Sequence, residues 1–542
     1  VIDSSPSPAE HSWIALRGSQ VGALLLLVLV FVLASVPPLW HTDVWAHLKY
    51  GEWIAVHRQL PAHEPFCPFA DSAAKWSPYC WLTQVGLYLA FHAGELIAGG
   101  SALTRTEGGV EALKATHALL VVGRFALLLV AFKRRSGSLG IASACLAVLV
   151  LLSLGSIALL RPQVVGELLF SGLLLLLSGP AERSLLLAPG LVALWANAHG
   201  SYPLGFALLG AALVAACIEK DRAAARRAAI ALALSVAAVA VFNPSGPRIF
   251  LETVELARNP NMATTREWSP LAFSLSWGWH VHYLVSVALL AAVLGVSPRR
   301  PSALEALLLL LGVAPLVQQR WLVWWFLVVP WIAARHVSLI VAARGGVRQG
   351  EANLRKTVIA ATVVFAGLLL TGPARWLASG HPESLERSVF AGTPWREALA
   401  IVSPREAPGE VAALGSEIAG RYPGGRFVGT VFTSEMSGDY LLWALPAAYP
   451  VTAYSHVHAF SPTYWQAWRA AKQCRPGWRE FLEATGSNLV VIEGALYPEL
   501  RAALSRDPAW VVVRDLSDDP GLDVRARLFV ALRRSAPSKS PK

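Results

Sequence analysis

The chain of 542 residues is 55% hydrophobic and only 15% charged, with a mean hydropathy of +0.48. Repeated apolar runs of spanning or near-spanning length exclude an ordinary soluble domain and predict a polytopic helical membrane protein. The net charge of +11 sits mostly in short loops between those runs, so it reads as a topology signal and not as a nucleic-acid surface.

Residues 1–19 read as a cytoplasmic N-terminal segment. The apolar stretch Val21 to Val36 has no basic segment before it and no small-residue cleavage site after it, so helix one is expected to be retained. Further apolar runs lie near 113–132, 139–159, 164–178, 185–197, 204–218, 228–242, 281–297, 302–317, 321–334 and 357–373. Together they predict an all-α membrane domain of about eleven transmembrane helices within residues 20–376. Another run, 81–99, is broken by Gln84, His92, Gly94 and Glu95. Those polar groups are costly in lipid, so this run is predicted to lie in the interface or to re-enter.

With the N-terminus inside, the inner loops carry Lys133-Arg134-Arg135, Arg183, Lys220, Arg222, Arg226, Arg227, Arg299-Arg300, Arg335, Arg344, Arg348, Arg355 and Lys356, as the positive-inside rule requires. The outer side collects a different set. It holds the long first loop, 39–112, then Arg161-Pro162-Gln163, Trp195-Ala196-Asn197-Ala198-His199-Gly200, Asn243-Pro244-Ser245-Gly246, Arg266-Glu267-Trp268-Ser269-Pro270 and Gln318-Gln319-Arg320-Trp321. This asymmetry places a candidate site at the outer membrane face. At the start of the first loop, Asp43 would hold a carboxylate at the lipid–water boundary.

The five cysteines match no zinc pattern. Cys145 and Cys217 fall in apolar runs and read as packing residues, whereas Cys67 and Cys80 bracket a loop short enough for a disulfide. Residues 377–534 are expected to form a small extracytoplasmic α/β domain. Its strands are predicted at Val428 to Thr433, Asn488 to Ile492, Trp510 to Val513 and Leu528 to Leu532. Helices are predicted at Pro462 to Lys472, with Ser461 as N-cap, at Trp478 to Ala484 and at Tyr497 to Ser505. The domain shows neither a phosphate loop nor a nucleophile elbow, and a cap over the outer face is its simplest role. Residues 535–542 read as a disordered tail.

Asp43-Val44-Trp45-Ala46-His47-Leu48, Gly51-Glu52-Trp53-Ile54, Pro65-Phe66, Trp81-Leu82, the outer clusters above and Ser437-Gly438-Asp439-Tyr440-Leu441-Leu442-Trp443 recur in order along most of the chain. In this pattern the chain resembles a family of bacterial polytopic proteins described as GT-C-like membrane glycosyltransferase relatives. The better-understood relatives include protein O-mannosyltransferases and aminoarabinose transferases. The resemblance implies a multi-pass protein of the bacterial inner (cytoplasmic) membrane, with a cytoplasmic N-terminus and an outer C-terminal domain. It implies a sugar donor on a polyprenyl phosphate and an acidic residue at Asp43. The chain departs from many relatives in having Val44 beside Asp43 and Tyr454-Ser455-His456-Val457-His458 where an acidic–basic motif is common, whereas a further acidic position after the loop's proline is filled by Glu64.

Under that resemblance Asp43 is the candidate general base, taking a proton from an acceptor hydroxyl; a helix N-cap explains the same residue without chemistry. His47 lies one helical turn on. It could share a divalent metal with Asp43 or make a simple hydrogen bond. Arg161, Arg266 and Arg320 suit phosphate oxygens, Arg161 best because Pro162 and Gln163 mark a helix start; snorkelling, or an Arg266–Glu267 bridge, is the structural alternative. Asn197 and His199 could bind sugar hydroxyls or a metal, or end a helix capped with Gly200, and Trp268 could stack on a sugar or anchor the interface. Glu167 inside a span needs a partner, and Arg124 is placed to be that partner. A divalent metal is compatible with these residues, although no carboxylate-rich set calls for a hard cation.

The expected function is transfer of a sugar from a polyprenyl-phosphate donor to a glycan, lipid or protein acceptor outside the cytoplasm. The competing readings are a transporter or flippase of lipid-linked glycans, and a non-catalytic membrane subunit of a glycan-assembly complex.

Overall fold

Why six of the apolar runs become long helices and others do not follows from their length. A computed structural model of the chain describes residues 15–40, 43–72, 76–179, 185–346, 351–407 and 409–534. Every one of the eleven runs is helical. Six helices are long and apolar enough to cross a membrane: Gly18–Ser35 (α1), Ala102–Ser136, Leu139–Ile157, Arg222–Phe242, Trp279–Val296 and Gln319–Ala343. The pair Leu354–Leu369 and Gly372–Ser379, bent by 73°, makes a seventh if counted as one span. The remaining apolar helices, Gln163–Leu177, Leu185–Ala198, Pro203–Ile218 and Ala303–Val317, are shorter. A helix of fifteen residues rises only about 22 Å, less than the ~30 Å hydrocarbon layer. The structure thus shows a mostly helical chain with six or seven helices long and apolar enough to span a membrane, where the sequence predicts eleven spans.

The long first loop contains two helices, Asp43–His57 (α2) and Trp81–Ala98 (α3). The run 81–99 is therefore a regular helix, and its polar groups keep it out of the spanning set. The next helix, Ala102–Ser136 (α4), has 35 residues. At about 52 Å it is far longer than a bilayer is thick. Its first third carries Glu107, Glu111 and Lys114, which meet the C-terminal region instead of lipid. Ser388 Oγ donates to Glu111 at 2.9 Å, and Lys114 lies 3.5 Å from Glu383.

The C-terminal region forms a four-stranded sheet in the order β1-β2-β4-β3, with β1 Thr430–Thr433, β2 Ser487–Glu493, β3 Trp510–Asp515 and β4 Leu528–Arg533. β1 and β2 are parallel and the other pairs antiparallel. All four expected strands and all three expected helices are present. Ser461 caps its helix by accepting from the Tyr464 amide, with Pro462 in the first turn. The helix Glu435–Ala444, which carries the Ser437–Trp443 motif, was not among the expected elements.

This domain does not hang free. It shares one continuous hydrophobic core with α2, in which Trp45 meets Tyr440 edge-on at 4.8 Å and Trp443 at 4.9 Å. Leu39, where the chain leaves α1, exchanges backbone hydrogen bonds with Ser388 and Phe390. The domain is a lid seated on the first loop.

The Cys67–Cys80 disulfide is not formed. Both thiols are free and buried. Cys67 points at the Val451 carbonyl of the C-terminal domain, 3.5 Å away, while Cys80 is held at the start of α3. Burial pushes the Cys67 thiol up to about 12. Arg183, Arg348, the first fourteen residues and the tail 535–542 lie outside the described residues.

Candidate active site

The charged residues of the loops sort to opposite ends of the helical domain. At one end Glu305 receives Arg135, and Arg335 lies 3.0 Å from it. At the other end, more than a hundred residues of chain separation collapse into one cluster around Arg161.

Arg161 follows the helix Leu139–Ile157 (α5) and precedes Gln163–Leu177 (α6). Its Nε donates to Asp43 Oδ2 at 2.9 Å, and its Nη1 pairs with Glu267. Burial works against the guanidinium charge, but the carboxylates of Asp43 and Glu267 outweigh it and hold the group above its ordinary range. Asp43 is 5% exposed and is the first helical residue of α2. The position before it, where a cap would stand, lies outside the described residues. Glu267 sits on a short 3-10 turn, and its side chain is 38% exposed. Arg320 lies over the Trp268 ring, 4.3 Å from its centroid. A cleft of about 140 Å³ opens here, lined by Arg161, Gln163, Glu267, Trp279, Gln319 and Arg320, among others.

His47 and His199 approach the same cluster from behind. α2 and α3 cross closely at Gly51, where any side chain would run into the Gln84 carbonyl. That approach brings the Gln84 amide to His47 Nδ1 at 3.1 Å; an amide N–H donates, so Nδ1 accepts. His199 Nδ1 lies 2.6 Å from Ser201 Oγ and accepts from the Ser201 amide. A Cβ at Gly166 would come within 2.8 Å of Ser201 Oγ, so glycine is what lets α6 lie against this turn. Burial first, then Arg320 and Arg161, pull the His199 imidazole down to about 3, so it is neutral at physiological pH.

Two expected residues are placed differently. The Asn197 amide accepts from Trp81 Nε1 at 2.8 Å and donates to the Ala193 and Phe242 carbonyls. It ties α3 to two neighbouring helices. Arg266 is exposed, and its backbone carbonyl accepts from Gln319 Nε2 at 2.8 Å. The ion pair of Glu267 is with Arg161, not with its chain neighbour. Trp268 serves as a platform for Arg320. Gln163 reaches back to Glu167 at 3.2 Å, and Glu167 pairs with Arg124 as expected.

The lid domain contributes side chains that sequence reasoning left outside the site. The His47 and His456 rings lie 4.8 Å apart, and His456 stacks on Tyr50. Tyr50 donates to Glu64. His458 lies 3.5 Å from the Tyr79 hydroxyl. Burial, then His47 and His458, push His456 well below the usual histidine range. The motif Tyr454–His458 is visible in the sequence as a departure from the family pattern, but nothing local says that it folds against His47. Among the described residues, no group of three or more His, Cys, Asp or Glu side chains is arranged to hold a metal ion.

No protein-family model matches the chain, and no curated protein is similar to it.

Proposed function

We propose that the chain is a GT-C-like membrane glycosyltransferase that moves a sugar from a polyprenyl-phosphate donor to an acceptor on the outer side. The observation that carries the reading is the convergence of Arg161, Glu267 and Arg320 on one cleft at the ends of apolar helices, with the buried Asp43 carboxylate held against Arg161. A lipid-linked phosphate needs cations at that depth, and an attacking hydroxyl needs a base beside them. In this mechanism Arg161 and Arg320 hold the phosphate as it leaves, where charge develops. Asp43 takes the proton of the acceptor hydroxyl as it attacks the sugar carbon, and direct attack inverts that carbon. The four shorter apolar helices complete a set of eleven crossings of the bacterial inner membrane, four being added to six and the bent pair.

Arg161 already holds two carboxylates, so a donor phosphate must displace one. Asp43 is buried on a helix. Glu267 is on a turn and more than a third exposed, and such a pair is worth only about 0–1 kcal/mol. Glu267 is therefore the carboxylate that yields. Glu267→Gln is expected to tighten binding of a polyprenyl phosphate by up to about fivefold, measured by titration in detergent. Weaker binding would mean that Glu267 helps to hold the donor.

Sidedness follows from the same reading. Ser505→Cys should react with an impermeant maleimide on intact cells, and Arg226→Cys only after the membrane is opened. The reverse pattern would overturn the threading.

A transporter or flippase of lipid-linked glycans is favoured by one feature, the Arg124–Glu167 pair buried within the helices, where Arg124 Nε and Nη2 have no hydrogen-bond partner among the described residues. A flippase would move the donor across a vesicle membrane without splitting the sugar from its phosphate.

A further inference from the structure

A second cleft, about 780 Å³ in volume, opens at the end of the helical domain opposite Asp43. It lies where α1 and Leu139–Ile157 begin and where α4 and Leu322–Ala343 end. Arg17, Lys133 and Lys356 line it, and none of its lining residues among the described ones is acidic. Cations that line one cleft favour an anion placed between them. Ser19, Gln20 and Ser138 add neutral hydrogen-bonding groups, and the first turns of two helices face the same space. The space is open: a Cβ at Gly18, Gly137 or Gly346 would meet no atom within 4 Å.

We infer that this cleft binds the phosphate head group of an anionic phospholipid. A head group is favoured over a dissolved anion because of what adjoins the cleft. Lys356 stands in the first turn of Leu354–Leu369, whose Leu354, Val358 and Ile359 are 55%, 57% and 49% exposed. An exposed apolar face therefore runs from the cations along the span, as acyl chains would. Basic pockets between spanning helices are suited to such head groups. The inference does not depend on the glycosyltransferase reading.

The test is lipid retention by the full chain, measured by native mass spectrometry after extraction from nanodiscs. The discs contain palmitoyl-oleoyl phosphatidylglycerol or the corresponding phosphatidylcholine. The wild type is expected to hold one phosphatidylglycerol with more than tenfold preference. Lys133→Gln/Lys356→Gln should lose that preference, while Arg299→Gln, at the same end but outside the cleft, should keep it. Equal retention of the two lipids by the wild type would overturn the inference, as would an unchanged preference in the double variant. Displacement of the lipid by millimolar inorganic phosphate would assign the cleft to a soluble anion and overturn the lipid.

Discussion

Asp43→Asn is expected to fold, to bind a polyprenyl-phosphate sugar and to transfer it about 10²–10⁴-fold more slowly, the usual worth of a general base. The amide keeps the size of the side chain, and its oxygen can still accept from Arg161 Nε, which now sits 2.9 Å from Asp43 Oδ2. Arg161 also keeps Glu267, so no cation is stranded. What is lost is the capacity to take a proton. The deficit should therefore fall on kcat, with donor binding unchanged or slightly tighter because one competing negative charge is gone. Near-normal transfer by this variant would remove Asp43 from the chemistry. It would leave Glu267, or Glu64 in the same loop as Asp43, as the remaining candidate carboxylates.

The second large effect is on stability. Arg124 and Glu167 form an ion pair buried between α4 and α6, with side chains 2% and 5% exposed. Removing one partner leaves a charge without compensation in a low-dielectric interior. Arg124→Met or Glu167→Met should each cost about 3–5 kcal/mol, whereas the double substitution should recover most of that loss. Thermal unfolding in detergent measures all three. A double variant no more stable than either single one would show that the two charges are not each other's main partners. The pair also bears on the site, because Gln163 lines the cleft and donates to Glu167 Oε1 at 3.2 Å.

What could be read from the chain was local. Ser461 followed by Pro462 starts a helix because a hydroxyl cap and a ring without an N–H suit consecutive positions, and no distant contact is needed. The four strands of the lid were legible as short apolar stretches for the same reason. The sorting of Arg161, Glu267 and Arg320 to one end followed from the alternation of basic loops. Their pairing did not. Arg266 looked like the partner of Glu267 because it is adjacent, yet a 3-10 turn aims Glu267 at Arg161, 106 residues away in the chain. His456 was missed because its partner His47 belongs to another domain, and only the docking of the lid on α2 joins them. Of the eleven expected spans, six or seven have full spanning length and four are shorter apolar helices, because apolarity marks a helix but does not fix its length. Cys67 and Cys80 were close in sequence, and the lid's Val451 drew one of them away.

The most direct measurement is turnover by the purified protein in liposomes loaded with a polyprenyl-phosphate sugar and supplied with cell-envelope acceptor. Mass spectrometry would count free polyprenyl phosphate against sugar joined to acceptor. Equal release of both by the wild type, and loss of both in Asp43→Asn and Arg161→Ala, is the predicted result. Donor left intact by the wild type while an authentic transferase in the same liposomes consumes it would contradict the account, leaving a carrier or a structural subunit in its place.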